Sequence, residues 1–314
     1  MPNQKVKLFS LSSNKELVEK ISNELNVPIG KSTVKHFSDG EIQISVDESI
    51  RGDDIYVVQS LSDPVNTNLM ELIIMVDAIR RTSAGTINVV IPYYGYSRSD
   101  RKARSREPII SKMIASFIEM QRVDRVITLD LHATQIQGFF NIPVDHLKPT
   151  NLFIEYFKDN GLLDNTVIVS PDHTTVNRAR LFADRLKLPI AIVDNRNPDD
   201  ETNIPDSVIG DVKDKNVIIT DDMIVTGKKL DISAKALKKA GAKNIYVSAT
   251  HPVFADGAIE RLNNSPINKI IVSDSINIKT NQDTSKIDVV SVGSLFGKAI
   301  DLIENNKSTG KLFK

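Results

Sequence analysis

The sequence predicts an α/β fold of two domains, each a mainly parallel sheet flanked by helices, and three observations carry that prediction. A chain of 314 residues exceeds what one hydrophobic core usually organises, so two domains of roughly 150 residues each are expected. Short runs rich in β-branched residues alternate with stretches of helical periodicity, the pattern of buried parallel strands joined by crossover helices. The alternation runs twice, on either side of a segment at 141–149 that holds two Pro and a His. The boundary is therefore placed there, giving domains 1–146 and 147–314.

In chain order, 6–10 reads as the first strand and 14–25 as its helix. The run 37–46 alternates after an Asp-Gly pair, which marks an antiparallel hairpin rather than a crossover strand. Strands follow at 54–59, 87–91 and 125–129, with helices at 68–81 and 108–120 between them. The second half repeats the scheme with strands at 167–170, 190–193, 217–220, 245–249 and 269–273, and helices at 176–186, 230–240 and 294–305. Helical patterns of roughly 10–15 residues between strands are what βαβ units require.

Composition excludes several classes. Lys+Arg 40 balances Asp+Glu 40, and the 40% hydrophobic and 25% charged content is ordinary for a soluble globular protein. No nucleic-acid partner is expected. No apolar run approaches the about 18 residues that span a bilayer, and the opening MPNQKVKLF lacks the apolar core of a signal peptide. No membrane association is expected, and the cytoplasm is the expected location. The lack of Cys removes disulfides, thiolate nucleophiles and zinc–thiolate sites together.

In open parallel sheets ligands collect beyond the carboxyl ends of the strands, so the residues that follow strands carry the functional reading. In VIITDDMIVTGKK, residues 217–229, an apolar strand ends in two acids and a short loop enters a helix. Loop amides and the helix N-terminus can hold a sugar phosphate while the acids accept from ribose hydroxyls; an Asp-capped turn gives the same pattern. The cations Arg98, Arg101, Lys102, Arg104 and Arg106 stand within nine residues behind three tyrosines. They suit phosphate forks and purine stacking, or else a solvated loop whose tyrosines cap the core. His132 and Asp172 each follow a strand, one in each half; they can grip a metal or serve as hydrogen-bonded structural residues, and imidazole suits Mg²⁺ poorly. Phe37-Ser38-Asp39-Gly40-Glu41 is a tight turn whose acids can meet an adenine amino group or a ribose, or a plain hairpin turn.

FSDGE at 37–41, YYGYSRSDRKARSREPI at 93–109, DLHATQIQGFFNIPVDH at 130–146, SPDHTTVNRAR at 170–180 and DDMIVTG at 221–227, in this order and spacing, resemble the ribose-phosphate pyrophosphokinase (PRPP synthetase) family over essentially the whole chain. The resemblance implies two phosphoribosyltransferase-like domains, an ATP-binding one at 1–146 and a ribose-phosphate one at 147–314. It implies transfer of the β,γ-diphosphoryl group of ATP to the 1-hydroxyl of ribose 5-phosphate, with Mg²⁺, by a hexamer built from dimers. Phe37, Asp39 and Glu41, with Gly40 at the turn, match the family's adenine-binding segment, and Arg98 an ATP-contacting arginine beside Ser99. His132 and Asp172 match metal and phosphate positions. Asp221 and Asp222 match the acids under the ribose, and Val225, Thr226, Gly227, Lys228 and Lys229 the 5-phosphate loop. Ser49 and Arg51 match part of an effector-phosphate site.

The departures from the family are concentrated. Asn195 stands at the position of the catalytic Lys and Asn197 at that of an essential Arg, with Arg196 between them. The phosphate loop DTxGT reads Val225-Thr226-Gly227-Lys228-Lys229 here, Thr174-Thr175 replace two glycines beside Asp172, and Ser99 replaces a glutamine. Phosphoryl-type transfer depends on positioning and charge stabilisation, and one lost cation can slow it on the order of 10³-fold. The expectation is therefore a family member with impaired catalysis. The alternative is a non-catalytic paralogue that binds nucleotide and associates with an active synthetase. A third reading, a phosphoribosyltransferase that consumes PRPP, draws on VIITDDMIVTG but leaves FSDGE and the Arg98 segment without a role.

Overall fold

The computed structural model describes residues 6–194, 205, 207–278 and 280–313. After β1 (Val6–Ser10), helix α1 (Lys15–Leu25) starts where the Asn14 side chain accepts from the Leu17 amide at 3.2 Å, satisfying one of the orphan donors of a first turn. The strands β2 (Ser32–His36) and β3 (Ile42–Val46) pair antiparallel, with Asp39-Gly40 at the turn and Gly40 at φ +92°. The hairpin thus takes its first strand from residues ahead of Phe37, a polar stretch without the alternation that marks 37–46. Then come β4 (Asp54–Val58), α2 (Val65–Arg81), β5 (Thr86–Ile91), α3 (Ile110–Met120), β6 (Arg125–Leu129) and β7 (Val144–Leu147). One five-stranded parallel sheet runs β1-β4-β5-β6-β7.

The segment 141–149, read as a bare boundary, therefore contains an edge strand. Four residues flanked by Pro143 and Pro149 are too short a run to declare themselves in sequence, and an edge tolerates the missing proline donors. A second unit begins at Pro149. It holds α4 (Thr150–Asp159), β8 (Thr166–Ser170), α5 (Val176–Leu186), β9 (Ile190–Val193), β10 (Val208–Ile209), β11 (Asn216–Ile224), α6 (Lys228–Lys239), β12 (Ile245–Pro252), α7 (Ala258–Asn263), β13 (Lys269–Ser273) and β14 (Ile287–Val290). Its seven strands run β10-β9-β8-β11-β12-β13-β14, parallel except for β10 against β9.

One expectation is corrected here. The last helix, α8 (Gly293–Glu304), belongs to the first unit with Ser275–Asn277 and the residues from Ser291 onward, so the second domain does not extend over all of 147–314. The reason is packing. A side chain at Gly297 would place its Cβ 2.5 Å from Glu24 Cγ, and one at Gly293 2.6 Å from Lys20 Cβ, so these glycines let α8 close onto α1. Tyr56 on β4 donates to Glu304 at 2.6 Å and ties the far end of the helix. Each sheet buries its own apolar layer: Phe9, Val57, Val89 and Ile91 under Leu72, Met75 and Ile79 in the first unit, and Val169, Ile219, Val247 and Val272 with Leu230 and Leu237 in the second.

Candidate functional site

In the second unit β11 does not stop before its acids. Pairing with β12 continues through Asp221 opposite Ala249 and Met223 opposite His251 to Ile224 opposite Pro252, because β12 runs to Pro252, past the expected end at 249. Asp221 and Asp222 are therefore buried strand residues rather than the tip of a loop. A buried carboxylate needs compensation, and Lys229, the second residue of α6, supplies it. Its Nζ lies 2.6 Å from Asp221 Oδ2 and 3.3 Å from Asp172 Oδ2. Burial raises the Asp221 carboxyl above its usual range, the Lys229 ammonium opposes this, and the neighbouring Asp222 adds to it. Burial disfavours the ammonium of Lys229, but Asp221 and then Asp172 more than restore it, so Lys229 stays charged.

Backbone geometry puts Lys229 there. Gly227 caps α6 at φ +72°, a left-handed conformation that favours glycine, and its Cα faces Leu262, 3.0 Å from where a Cβ would stand. The loop is clasped from one side, with Phe254 and Ala255 amides donating to Ile224 and Val225 carbonyls at 2.9 Å each and Arg261 donating to the Thr226 carbonyl. Val225 and Lys228 are partly buried and Thr226 is exposed, at the start of a twelve-residue helix.

The loop after β8 holds its acid with its own threonines. Asp172 Oδ1 accepts from the amides and hydroxyls of both Thr174 and Thr175, at 2.7 to 3.1 Å, so these threonines fix the carboxylate. Burial alone would raise this acid, but the Lys229 ammonium, then the Thr174 hydroxyl and the Thr175 amide, outweigh it and hold Asp172 below its ordinary value. A depressed folded value adds stability above the ordinary carboxylate range, and that contribution is lost as pH falls through the folded value. Lys229→Met removes the leading downward influence, so the Asp172 carboxyl ¹³C titration should move up. An unmoved titration would assign the effect to the threonines.

The first unit holds the remaining candidates. Phe37, Asp39 and Glu41 are exposed on the hairpin turn, closed by Phe37 N to Glu41 O at 2.9 Å and by Glu41 N to Asp39 Oδ1 at 3.1 Å. Arg98, Arg101, Lys102, Arg104 and Arg106 are all exposed after β5, with Ser99 partly buried. Of the tyrosines before them, Tyr94 is buried and donates to Ser111 O at 3.0 Å, while Tyr96 donates to Asn66 at 2.7 Å. Tyr94 is a core residue, which removes it from the expected purine-stacking set. His132 is exposed just past β6, in a loop shaped by buried Asp130 at φ +40°, which pairs with Lys148 at 3.0 Å, and by His146 Nε2, which accepts from the Leu131 amide at 2.8 Å. Ser49 and Arg51 are exposed on either side of buried Ile50. Asn195 and Asn197 lie outside the described residues.

Sequence reasoning missed Glu71. It is fully buried on α2, accepting from Gln59 Nε2 at 2.9 Å and the Ser12 amide at 3.1 Å and meeting His36 Nε2 at 2.7 Å. His36 ends β2, immediately before the Phe37 turn, so this acid anchors the candidate nucleotide hairpin to the helix. The signal was present: Glu71 falls in the stripe Asn68, Leu72, Met75, Val76, Ile79 that α2 buries.

These two parallel-sheet units, with an acid-bearing strand running into a glycine-capped helix, define a protein of two phosphoribosyltransferase-like domains. The crystal structure of phosphoribosylpyrophosphate synthetase from Mycobacterium smegmatis superposes with a TM-score of 0.91 at 36% identity, over 96% of this chain and 100% of that one. Residues 6–121 match the N-terminal domain of ribose phosphate pyrophosphokinase, and residues 202–314 match the phosphoribosyl synthetase-associated domain. The putative ribose-phosphate pyrophosphokinase 2 of Lactiplantibacillus plantarum is 55% identical over 98% of this chain and 96% of its own length. Ribose-phosphate pyrophosphokinase 1 of Listeria innocua is 51% identical over 99% and 98%. The chain belongs to the ribose-phosphate pyrophosphokinase family.

Proposed function

We propose that this chain binds ATP through its first unit and ribose 5-phosphate through its second, and that it forms PRPP and AMP far more slowly than a fully charged site would. In that reaction the 1-hydroxyl oxygen of ribose 5-phosphate bonds to the β-phosphorus of ATP. The bond from that phosphorus to the bridging α,β-oxygen breaks, AMP departs with the oxygen, and the hydroxyl proton passes to solvent. Arg98 and the hairpin residues Phe37, Asp39, Gly40 and Glu41, with Ser99, would orient the nucleotide. The amides of residues 225–229 would receive the 5-phosphate beside Asp221 and Asp222, and Ser49 and Arg51 an effector phosphate. His132 is suited to a phosphate oxygen. A cytoplasmic homo-oligomer, dimer-based as the family resemblance implies, completes the reading.

Mg²⁺, which the resemblance also implies, takes oxygen ligands, usually one or two carboxylates plus substrate phosphates. The second unit does not fit a resident ion: both Asp172 oxygens and Asp221 Oδ2 already have protein partners, and among the described residues no group of three His, Asp or Glu is placed to hold a metal. Any Mg²⁺ would therefore come with the triphosphate.

The observation that supports slow turnover is the Lys229 ammonium seated on Asp172 and Asp221. The same contact favours the second reading, a nucleotide-binding partner of an active synthetase. Calorimetry with ATP and an AMP-release assay with ribose 5-phosphate separate the cases. ATP binding is expected, weakened about tenfold or more by Arg98→Ala through the loss of a charge-assisted contact. Absence of ATP binding would overturn the proposal, and turnover at rates ordinary for enzymes would overturn its impairment.

A further inference from the structure

We infer that Lys229 is a tethered cation that takes the place of a divalent metal ion between Asp172 and Asp221, so that the second unit binds no divalent ion of its own. The geometry is that of a filled cation position. One ammonium nitrogen lies 2.6 Å from Asp221 Oδ2 and 3.3 Å from Asp172 Oδ2. A Mg²⁺ bonds carboxylate oxygen at about 2.0–2.1 Å, and an ion drawn to the same two oxygens would have to compete with the ammonium already paired with both and meet its charge.

All three groups are held in place. Asp221 is buried inside the β11–β12 ladder. The other oxygen of Asp172 accepts from both threonines that follow it, which leaves Oδ2 aimed at the lysine. Lys229 rides on α6, whose start is set by the left-handed Gly227 and whose next residue, Leu230, is buried in the core. A lysine at this one place supplies from the chain the positive charge that an ion drawn from solution would otherwise bring. The inference goes beyond the proposed reaction and holds whether or not the chain turns over.

The test uses nucleotide-free full-length protein titrated with Mn²⁺, with free ion followed by electron paramagnetic resonance. Lys229→Met is expected to bind one more Mn²⁺ per chain than wild type, and Lys229→Met/Asp221→Asn to lose it again. In the wild-type background Asp221→Asn is expected to leave Mn²⁺ binding unchanged. Equal stoichiometry in wild type and a folded Lys229→Met overturns the inference, as does a fall in Mn²⁺ binding on Asp221→Asn alone. If circular dichroism finds Lys229→Met unfolded, the wild-type and Asp221→Asn comparison decides by itself. ATP affinity is read separately by calorimetry, so failure here is distinct from failure of the proposed function.

Discussion

Asn195→Lys/Asn197→Arg, introduced together into a Lys229→Thr background, is expected to raise AMP release from ATP and ribose 5-phosphate on the order of 10³-fold over that background. Negative charge spreads over the phosphoryl oxygens as the diphosphoryl group moves, and cations placed before the reaction stabilise it without reorganisation. A neutral asparagine amide supplies no such charge. The background substitution matters because the lysine on Asp172 and Asp221 competes for Asp221, one of the two acids that the sugar hydroxyls would use. If AMP release rises less than tenfold while ATP still binds, the missing charge is not what limits the reaction, and the regulatory reading gains. Gain in the double variant without the background change would show that Lys229 yields to substrate.

Glu71→Ala should destabilise the first unit by about 3 kcal/mol, read as a shifted denaturation midpoint. The Gln59 side chain and the Ser12 amide would each lose an acceptor, and a buried donor left unpaired costs roughly 1–3 kcal/mol. Glu71→Gln keeps an acceptor and the volume, so it should cost less. The His36 contact extends the consequence to function: with Glu71 gone, the end of β2 loses its hold on α2, and ATP affinity should fall along with stability. A variant that lost stability but bound ATP as wild type would separate the hairpin from the anchor. The exposed half of His36 contributes little to the energy, because water replaces its partner.

Much of the molecule was legible from residue order. The helix over Val176–Leu186 and the strands Val6–Ser10, Arg125–Leu129, Ile190–Val193 and Lys269–Ser273 match the observed ends, because the strands are short runs rich in apolar residues and the helix carries an amphipathic period. Elements with weak signals were missed. β7 and β14 have four residues each and β10 two, and such short pieces are stabilised by the neighbour they pair with rather than by their own composition. The end of β11 was misplaced for a related reason: Asp221 and Asp222 read as the close of a strand, yet β12 carries the ladder three residues beyond Asp221 to Ile224.

By itself the sequence determined the alternation of strands and helices, the doubling of the scheme and the family resemblance, since apolar periodicity and motif spacing are written along the chain. Tertiary structure alone decided that α8 packs on α1, that Tyr94 is core, that Glu71 is an anchor and that Lys229 turns inward to Asp172 and Asp221 rather than outward to a phosphate. Each of these depends on which surfaces meet: a lysine near a helix start has the same identity whether it faces solvent or an acid, and only the buried carboxylates beside it fix where its charge goes.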